Sequence, residues 1–443
     1  MGVGRRHDRD TCIEASGPRA PSDRGGGMSG RQRFRDVWVS TRLGDVADIK
    51  SGGTPSTAIP EYWNGGIPWC TPTDITSTEG RELTTTARTI TREGLSACGA
   101  TLLPPGTLLL CSRATVGHVK IATASVATNQ GFKSLICGGS VGHEYLYYCL
   151  LTLADRMLDL ATGSTFLEIT KRGIENLKIR LPSLVEQRAI ATVLSDLDEL
   201  IESLETLIAK KHDIKQGAMQ RLLAGTTRLP GFREEWEVRR LGDVAELCMG
   251  QTPPRRDASC WGGQHVWLCV ADLGRKTVFD SKEHVSDVAV SRMGLVRRGT
   301  LLMSFKLSVG RVAFAGCDLY TNEAICHFEN VMADAGFLYY ALQRVRFAEY
   351  GRQAVKGVTL NSGTLARIEI LFPPRSEQRA ISQVLSAMDD EIAAIEGRLE
   401  KTRAIKEGMM QKLLTGGIRL PIPEHETEGV GTEKGERADE PCG

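Results

Sequence analysis

The chain has 443 residues, 41% of them hydrophobic and 25% charged, and a formal net charge of +1. That length calls for two or three domains, and the composition is that of a soluble globular protein. No apolar run approaches the roughly 18 residues that a membrane span needs, so no membrane partner is expected, and the thinly spread cysteines suit reduced thiols in the cytoplasm.

Residues 1–37 are rich in Gly and Arg and lack the apolar core of a signal peptide, so a disordered N-terminal extension is expected, with Met28 as an alternative start. A first globular domain, 38–182, follows. It opens on LGDVADIKSGGTPS (Leu43–Ser56) and carries strand-like runs at Thr107–Ser112 and His118–Thr123. A helical stretch at Glu144–Leu158 leads to a closing strand-like run at Leu177–Pro182, which proline ends. In the central helical spacer, 183–228, apolar residues recur at 3.5-like spacing through Ile190, Val193, Leu194, Leu197, Leu200, Ile201, Leu204, Leu207, Ile208 and Ile214. Ser183 and Glu186 have capping-box spacing and Gly225 stops the helix. About 38 residues give a rod of roughly 57 Å.

The second domain, 229–373, repeats the first. LGDVAELCMGQTPP (Leu241–Pro254) matches the opening stretch at an offset of 198, and Trp63, Trp69 and Asp74 fall on Trp261, Trp267 and Asp272. Gly117 and Asn129 match Gly310 and Asn322 at an offset of 193, and EQRAI at Glu186–Ile190 recurs at Glu377–Ile381, at 191. A strand-like run at Arg311–Gly316, a helical stretch at Ala335–Tyr350 and a closing strand at Ile368–Pro373 keep the same order. The C-terminal helical spacer, 374–421, repeats the stripe at Ile381, Val384, Leu385, Met388, Ile392, Ile395, Leu399 and Ile405, but has Glu391 and Arg398 where the first copy has Leu200 and Leu207. Residues 422–443 hold seven acidic and two basic residues, a charge of −5; a disordered acidic tail is expected, and the rest carries +6. That mildly basic remainder permits nucleic acid as a partner.

The fold class is therefore α+β: two tandem α/β domains separated by long helices. Two apolar stripes in one chain are buried most simply against each other, which predicts an antiparallel coiled coil with a pseudo-twofold axis and the two domains at its opposite ends. Its interface is expected from Ile190, Leu194, Leu197, Ile201, Leu204 and Ile208 on one helix and Ile381, Leu385, Met388, Ile392, Ile395 and Leu399 on the other.

These duplicated motifs, in this order and over about residues 38–421, resemble the specificity (S) subunit of type I restriction–modification systems. The resemblance implies two target-recognition domains, each reading one half of an asymmetric bipartite site in double-stranded DNA. It also implies helices that act as a spacer and dock two methylation (M) subunits, with motor–nuclease (R) subunits joining them. On that reading the chain is non-catalytic and holds no cofactor; S-adenosylmethionine, ATP and magnesium belong to partner subunits. A protein-only coiled-coil scaffold and a stand-alone nuclease or methyltransferase are the alternatives.

Residues identical in both copies are scaffold, since two different half-sites need different readers: Leu43, Val46, Leu241 and Val244 as core, Gly44 and Gly242 as turn positions. DNA contacts are expected where matched loops diverge. In the first copy these are Lys50, Ser51, Thr54, Arg113, Asn129, Gln130, Lys133, Ser164, Thr165 and Lys171; in the second, Gln251, Arg255, Arg256, Lys306, Arg311, Asn322, Glu323, Lys356, Thr359 and Asn361. Asn129 and Asn322 recur while their neighbours change from Gln130 to Glu323, which suits a structural Asn.

Catalytic motifs are poorly represented. Gly138–Gly142 fits Gly-x-Ser-x-Gly beside His143, but the second copy has Ala333 at the serine position, so a connecting turn is the simpler reading. There is no nucleotide-binding loop of the G-x-x-x-x-G-K-[ST] kind. The twelve cysteines are thinly spread and no metal site is expected; Cys260, His265 and Cys269 are an accidental grouping on this reading.

Overall fold

The computed structural model describes residues 38–163, 167–306, 308–350, 352–354 and 357–421. The expected N-terminal extension and acidic tail lie outside the described residues, as do Ser164, Thr165 and Lys356. The described chain forms two compact units, one of residues 38–77, 82–189 and 419–421, the other of 78–81 and 190–418. Among the described residues no helix is long and apolar enough to cross a membrane, and their ten cysteines are all free thiols.

Each unit contains the same three sheets. In the first, a five-stranded sheet runs Ala47–Ser51, Lys133–Cys137, Leu108–Leu110, Val119–Ala122, Glu82–Leu83 in spatial order, beside a three-stranded sheet of Arg88–Ile90, Trp63–Cys70 and Ala127–Thr128. In the second, the corresponding orders are Glu246–Met249, Ile325–Glu329, Leu301–Ser304, Val312–Ala315, Thr277–Val278, and His284–Val285, Trp261–Leu268, Tyr320–Thr321. A two-stranded antiparallel ladder closes each domain, Val39–Arg42 on Lys178–Leu181 and Glu237–Arg240 on Glu369–Phe372. The central strands are buried along their length because both faces of the sheet are covered: Leu301 and Met303 enter one core cluster and Leu302, pointing the other way, enters another.

Two helices are shorter than their patterns. Glu144–Leu158 divides at Leu153 into His143–Thr152 and Ala154–Leu160, and Ala335–Tyr350 is helical only over Ala335–Leu342, with a 3-10 turn at Phe347–Glu349. Leu43, Val46, Leu241 and Val244 are buried, but Gly44 and Gly242 are not turn residues. Each sits in a one-turn helix pressed against the next element, where a Cβ would lie 3.0 Å from Glu175 or 2.9 Å from Ala366.

The EQ pair of EQRAI explains its own recurrence. Glu186 and Glu377 are fully buried. Glu377 takes two 2.6 Å hydrogen bonds from the Arg228 guanidinium and a third, of 3.0 Å, from the Trp236 indole. Glu186 takes the same set, two of 2.6 Å from Arg419 and one of 3.3 Å from Trp38. The capping box is thus half formed: the Ser183 hydroxyl accepts from the Glu186 amide, while the Glu186 carboxylate serves Arg419 and Trp38. Gln187 accepts from the Gly142 amide and donates to the Ser140 and Pro182 carbonyls, and Gln378 likewise ties the Asp334 amide to the Pro373 carbonyl. The Gly138–Gly142 segment is a connecting turn held by Gln187.

The two long helices are Leu184–Leu222 and Arg375–Leu413. Gly225 and Gly416, at φ of +68° and +72°, follow their ends in the left-handed region where glycine is favoured. In the second unit the helices run antiparallel: Asp198 pairs with Lys406, Glu205 with Arg403, Lys211 with Glu391 at 2.5 Å and Lys215 with Asp389 at 2.5 Å. Partner numbers fall as residue numbers rise. Asp198–Lys406 and Lys215–Asp389 are the same pair written twice, since the helical repeats match at an offset of 191. Of the expected seam residues, Ile190, Leu194, Leu204, Ile392 and Leu399 are buried and Leu197, Ile201, Ile208, Met388 and Ile395 half-buried. Ile381 and Leu385 instead belong to the core of the second domain, with Met219, Leu222 and Leu223 from the end of the first long helix. Leu207, Ile214 and Ile405, also in the apolar pattern, are exposed.

Asp389 anchors a polar network on this seam. Lys276 donates to Tyr340, Ser386 and Asp389 at 2.8–3.0 Å, and Tyr340 also donates to Asp389. Burial alone would raise the Asp389 carboxyl, but the bonds from Lys215, Tyr340 and Lys276 outweigh it and hold the group below the usual aspartate value.

Two outcomes follow. Gln378→Ala strands the part-buried Asp334 amide and the buried Pro373 carbonyl and is expected to cost about 1–3 kcal/mol, read as a lower urea midpoint. Because the folded value of Asp389 is depressed, its contribution is complete above the unfolded value of about 3.9 and is lost as pH falls through the folded one. Asp389→Asn should flatten the acid limb of the stability profile below about pH 4; an unaltered limb would show that the network is not what holds the seam.

Candidate nucleic-acid interface

In each unit a pair of tryptophans fixes the loop that opens the repeat. Trp63 and Trp69 meet edge to face with centroids 5.0 Å apart, as do Trp261 and Trp267. Their indole N–H groups donate to loop carbonyls: Trp69 to Gly53 at 3.0 Å and Trp63 to Ser56 at 3.1 Å, Trp267 to Gln251 at 2.9 Å and Trp261 to Pro254 at 3.1 Å. Gly52 and Gly250 are required by close approach, since a Cβ would stand 2.0 Å from the Asn129 carbonyl or 2.2 Å from the Thr321 hydroxyl.

The neighbouring loop is held by asparagine. Asn129 accepts from the Gly131 amide at 2.9 Å and Asn322 from the Ala324 amide at 3.0 Å, so both side chains shape backbone. The next residue bridges the two loops. Thr54 donates to the Gln130 amide oxygen, and in the second unit Thr252 donates to the Glu323 carboxylate. That bond is the main reason Glu323 stays below the usual carboxylate value, against the effect of burial and with help from Lys306 and Arg255. In the first unit Arg113, Asn129 and Gln130 line a shallow cleft of about 320 Å³ with Pro72, Ala114 and Gly131. Lys306 occupies the matched position of Arg113. One scaffold therefore presents an arginine with a neutral amide in one copy and a lysine with a carboxylate in the other.

Several expected contacts are placed elsewhere. Lys133 is buried and faces Glu168 at 3.6 Å. Lys50 is half-buried on a strand and pairs with Asp48 at 2.7 Å, and Lys171 pairs with Glu175 at 3.7 Å in a different cleft, beside Gly44. Asn361 caps the helix Ser362–Ala366 through the Thr364 amide. Arg255 stacks 4.1 Å from the Trp261 ring and is bidentate to Glu283, which it holds below the usual carboxylate range. Ser51, Gln251, Arg256 and Arg311 are exposed, and Thr359 lies in the strand Gly357–Thr359.

Sequence reading missed Arg88, whose guanidinium lies 3.6 Å from the Trp63 ring. By strand pairing Arg88 occupies the position that Glu283 holds in the second unit, so the cation over the tryptophan comes from a strand in one copy and from the opening loop in the other. Of the Cys260, His265 and Cys269 grouping, Cys260 contacts Asp257 and His265 bonds Asp287 at 2.7 Å, each in its own local arrangement.

The family model for the type I restriction modification DNA specificity domain matches the chain twice, over residues 36–210 and 233–403. Among curated proteins, the type I restriction enzyme MjaIX specificity subunit of Methanocaldococcus jannaschii is 28% identical over 410 residues, 86% of this chain and 94% of that one. Among solved structures, the S subunit of a type I restriction–modification system from M. genitalium aligns with a TM-score of 0.55 at 16% identity, covering 87% of this chain and 98% of that chain. A chain from a structural study of the assembly and conformational transition of the type I system aligns at 0.57 and 20%, covering 86% and 98%. With its fold and both repeats accounted for, the chain belongs to the type I restriction–modification DNA specificity family and carries two recognition domains in tandem.

Proposed function

We propose that each recognition domain reads one half of an asymmetric, bipartite site in double-stranded DNA through the two-loop cleft, with the specificity in the residues that change between copies. The observation that carries this is the exchange of Arg113 and Gln130 for Lys306 and Glu323 on a matched frame. Arginine and lysine suit guanine edges or phosphates, glutamine suits adenine, and a glutamate accepts from cytosine. The chain itself is the non-catalytic, cytoplasmic subunit. Adenine methylation, with base flipping, would fall to two M subunits that carry S-adenosylmethionine, and ATP and magnesium to R subunits. Docking of the M subunits on the long helices is supported by Leu207, Ile214 and Ile405, apolar side chains left in water on the helix pair.

Long-read methylome mapping of cells carrying the complete system tests this. A two-part methylated motif is expected, and Gln130→Glu should alter the bases of one half, leaving the other half and the gap as they were. A motif without two parts, or a change in both halves at once, would end this reading.

A further inference from the structure

The first two strands of the large sheet in the second unit bring four metal-ligand side chains onto one face. Glu246 pairs across the ladder with Glu329, and Cys248 with His327; positions two apart on a strand share a face, so the four form a square. Ligand atoms of Cys248, His327 and Glu329 all lie within 4.8 Å of one another. His327 Nε2 stands 3.4 Å from Glu329 Oε1. Zinc bound tetrahedrally at about 2.0–2.2 Å to nitrogen and oxygen separates such a pair by roughly 3.4 Å.

Two further observations fit a ligand. His327 is 4% exposed, and among the described residues its Nε2, the ring nitrogen beside the cluster, faces only the Glu329 carboxylate. Like charges directly opposite on a ladder repel, yet among the described residues neither Glu246 nor Glu329 has a Lys or Arg partner; Glu246 accepts only from the Asn330 amide, at 2.9 Å. The first unit has no such opposed carboxylates. Its matched positions are Asp48, Lys50, Ser134 and Ile136, and the Lys50 ammonium sits 2.7 Å from Asp48. The copy without a lysine has acquired a thiol, an imidazole and a second carboxylate.

We propose that Cys248, His327 and Glu329, with Glu246 or water in the fourth place, bind one zinc ion that cross-links the two strands just before the loop carrying Gln251 and Arg255. Thiol, imidazole and carboxylate together suit zinc rather than calcium or magnesium, which take oxygen. On binding, the Cys248 thiol releases its proton to solvent and the thiolate becomes a ligand.

The test uses the purified full chain, stripped with EDTA and titrated with cobalt(II) alone and then zinc. One ion per chain is expected, with a thiolate-to-cobalt charge-transfer band that zinc displaces, and a zinc-dependent rise in melting temperature. Cys248→Ser should abolish the band and Glu329→Gln, at an exposed position that leaves folding intact, should weaken binding about tenfold or more. Cys269→Ser should change neither. His327→Gln should abolish the melting shift. A band that survives Cys248→Ser, or no stoichiometric uptake by the wild-type chain, would overturn the site.

Discussion

Both domains depend on a buried carboxylate that cannot stand alone. Taking Glu186 or Glu377 out of water would be prohibitive without a counter-charge and full hydrogen bonding. Each receives an arginine fork, the strongest geometry for a carboxylate, and an indole N–H. The three partners come from different parts of the chain: a tryptophan ahead of the domain's first strand, a glutamate in the first turn of the long helix that follows the domain, and an arginine just past the end of a long helix. For the second unit the arginine, Arg228, directly precedes the domain. For the first it is Arg419, so that unit is completed by residues 419–421 from the far end of the chain.

Much of this was legible from the residues. The repeat offsets, 3.5-residue spacing and alternating runs gave the order of elements, the two long helices and their antiparallel pairing, because burial of apolar surface imposes those periods directly. Polar assignments were less secure, because a charged residue's role depends on what faces it across the fold. Lys133 looks like a surface base in sequence and is a buried partner of Glu168. Arg255 looks free and is committed to Glu283 and Trp261. The Glu186–Arg419 pair joins residues with no local signal linking them. Ile381 and Leu385 carry the coiled-coil spacing but lie where the helix also crosses its own domain, and the domain core claims them.

Several exchanges between the copies alter electrostatics. The sheets, the tryptophan pairs, the asparagine turns and the glutamate clamps are repeated, while charge and polarity change on that frame: Gln130 to Glu323, Arg113 to Lys306, Arg88 to Glu283, Lys50 to Cys248. Compensation is visible where one change forces another. Placing Glu283 where the first copy has Arg88 removes the cation over the tryptophan, and Arg255 restores it from the opening loop while pairing with that glutamate.

Such exchanges are tolerated because the frame is held mainly by groups that do not vary. The tryptophans bond to loop carbonyls, the asparagines to loop amides, and the glycines admit a close backbone approach. These contacts fix the path of the main chain without using the side chains at positions 113, 130, 306 and 323. A substitution at one of those positions changes the donors and acceptors presented by the cleft, while the loop that carries it keeps its backbone anchors. On the proposed reading, recognition chemistry can therefore drift in one copy without disturbing the fold of either, which is what a duplicated reader needs if its two halves are to differ.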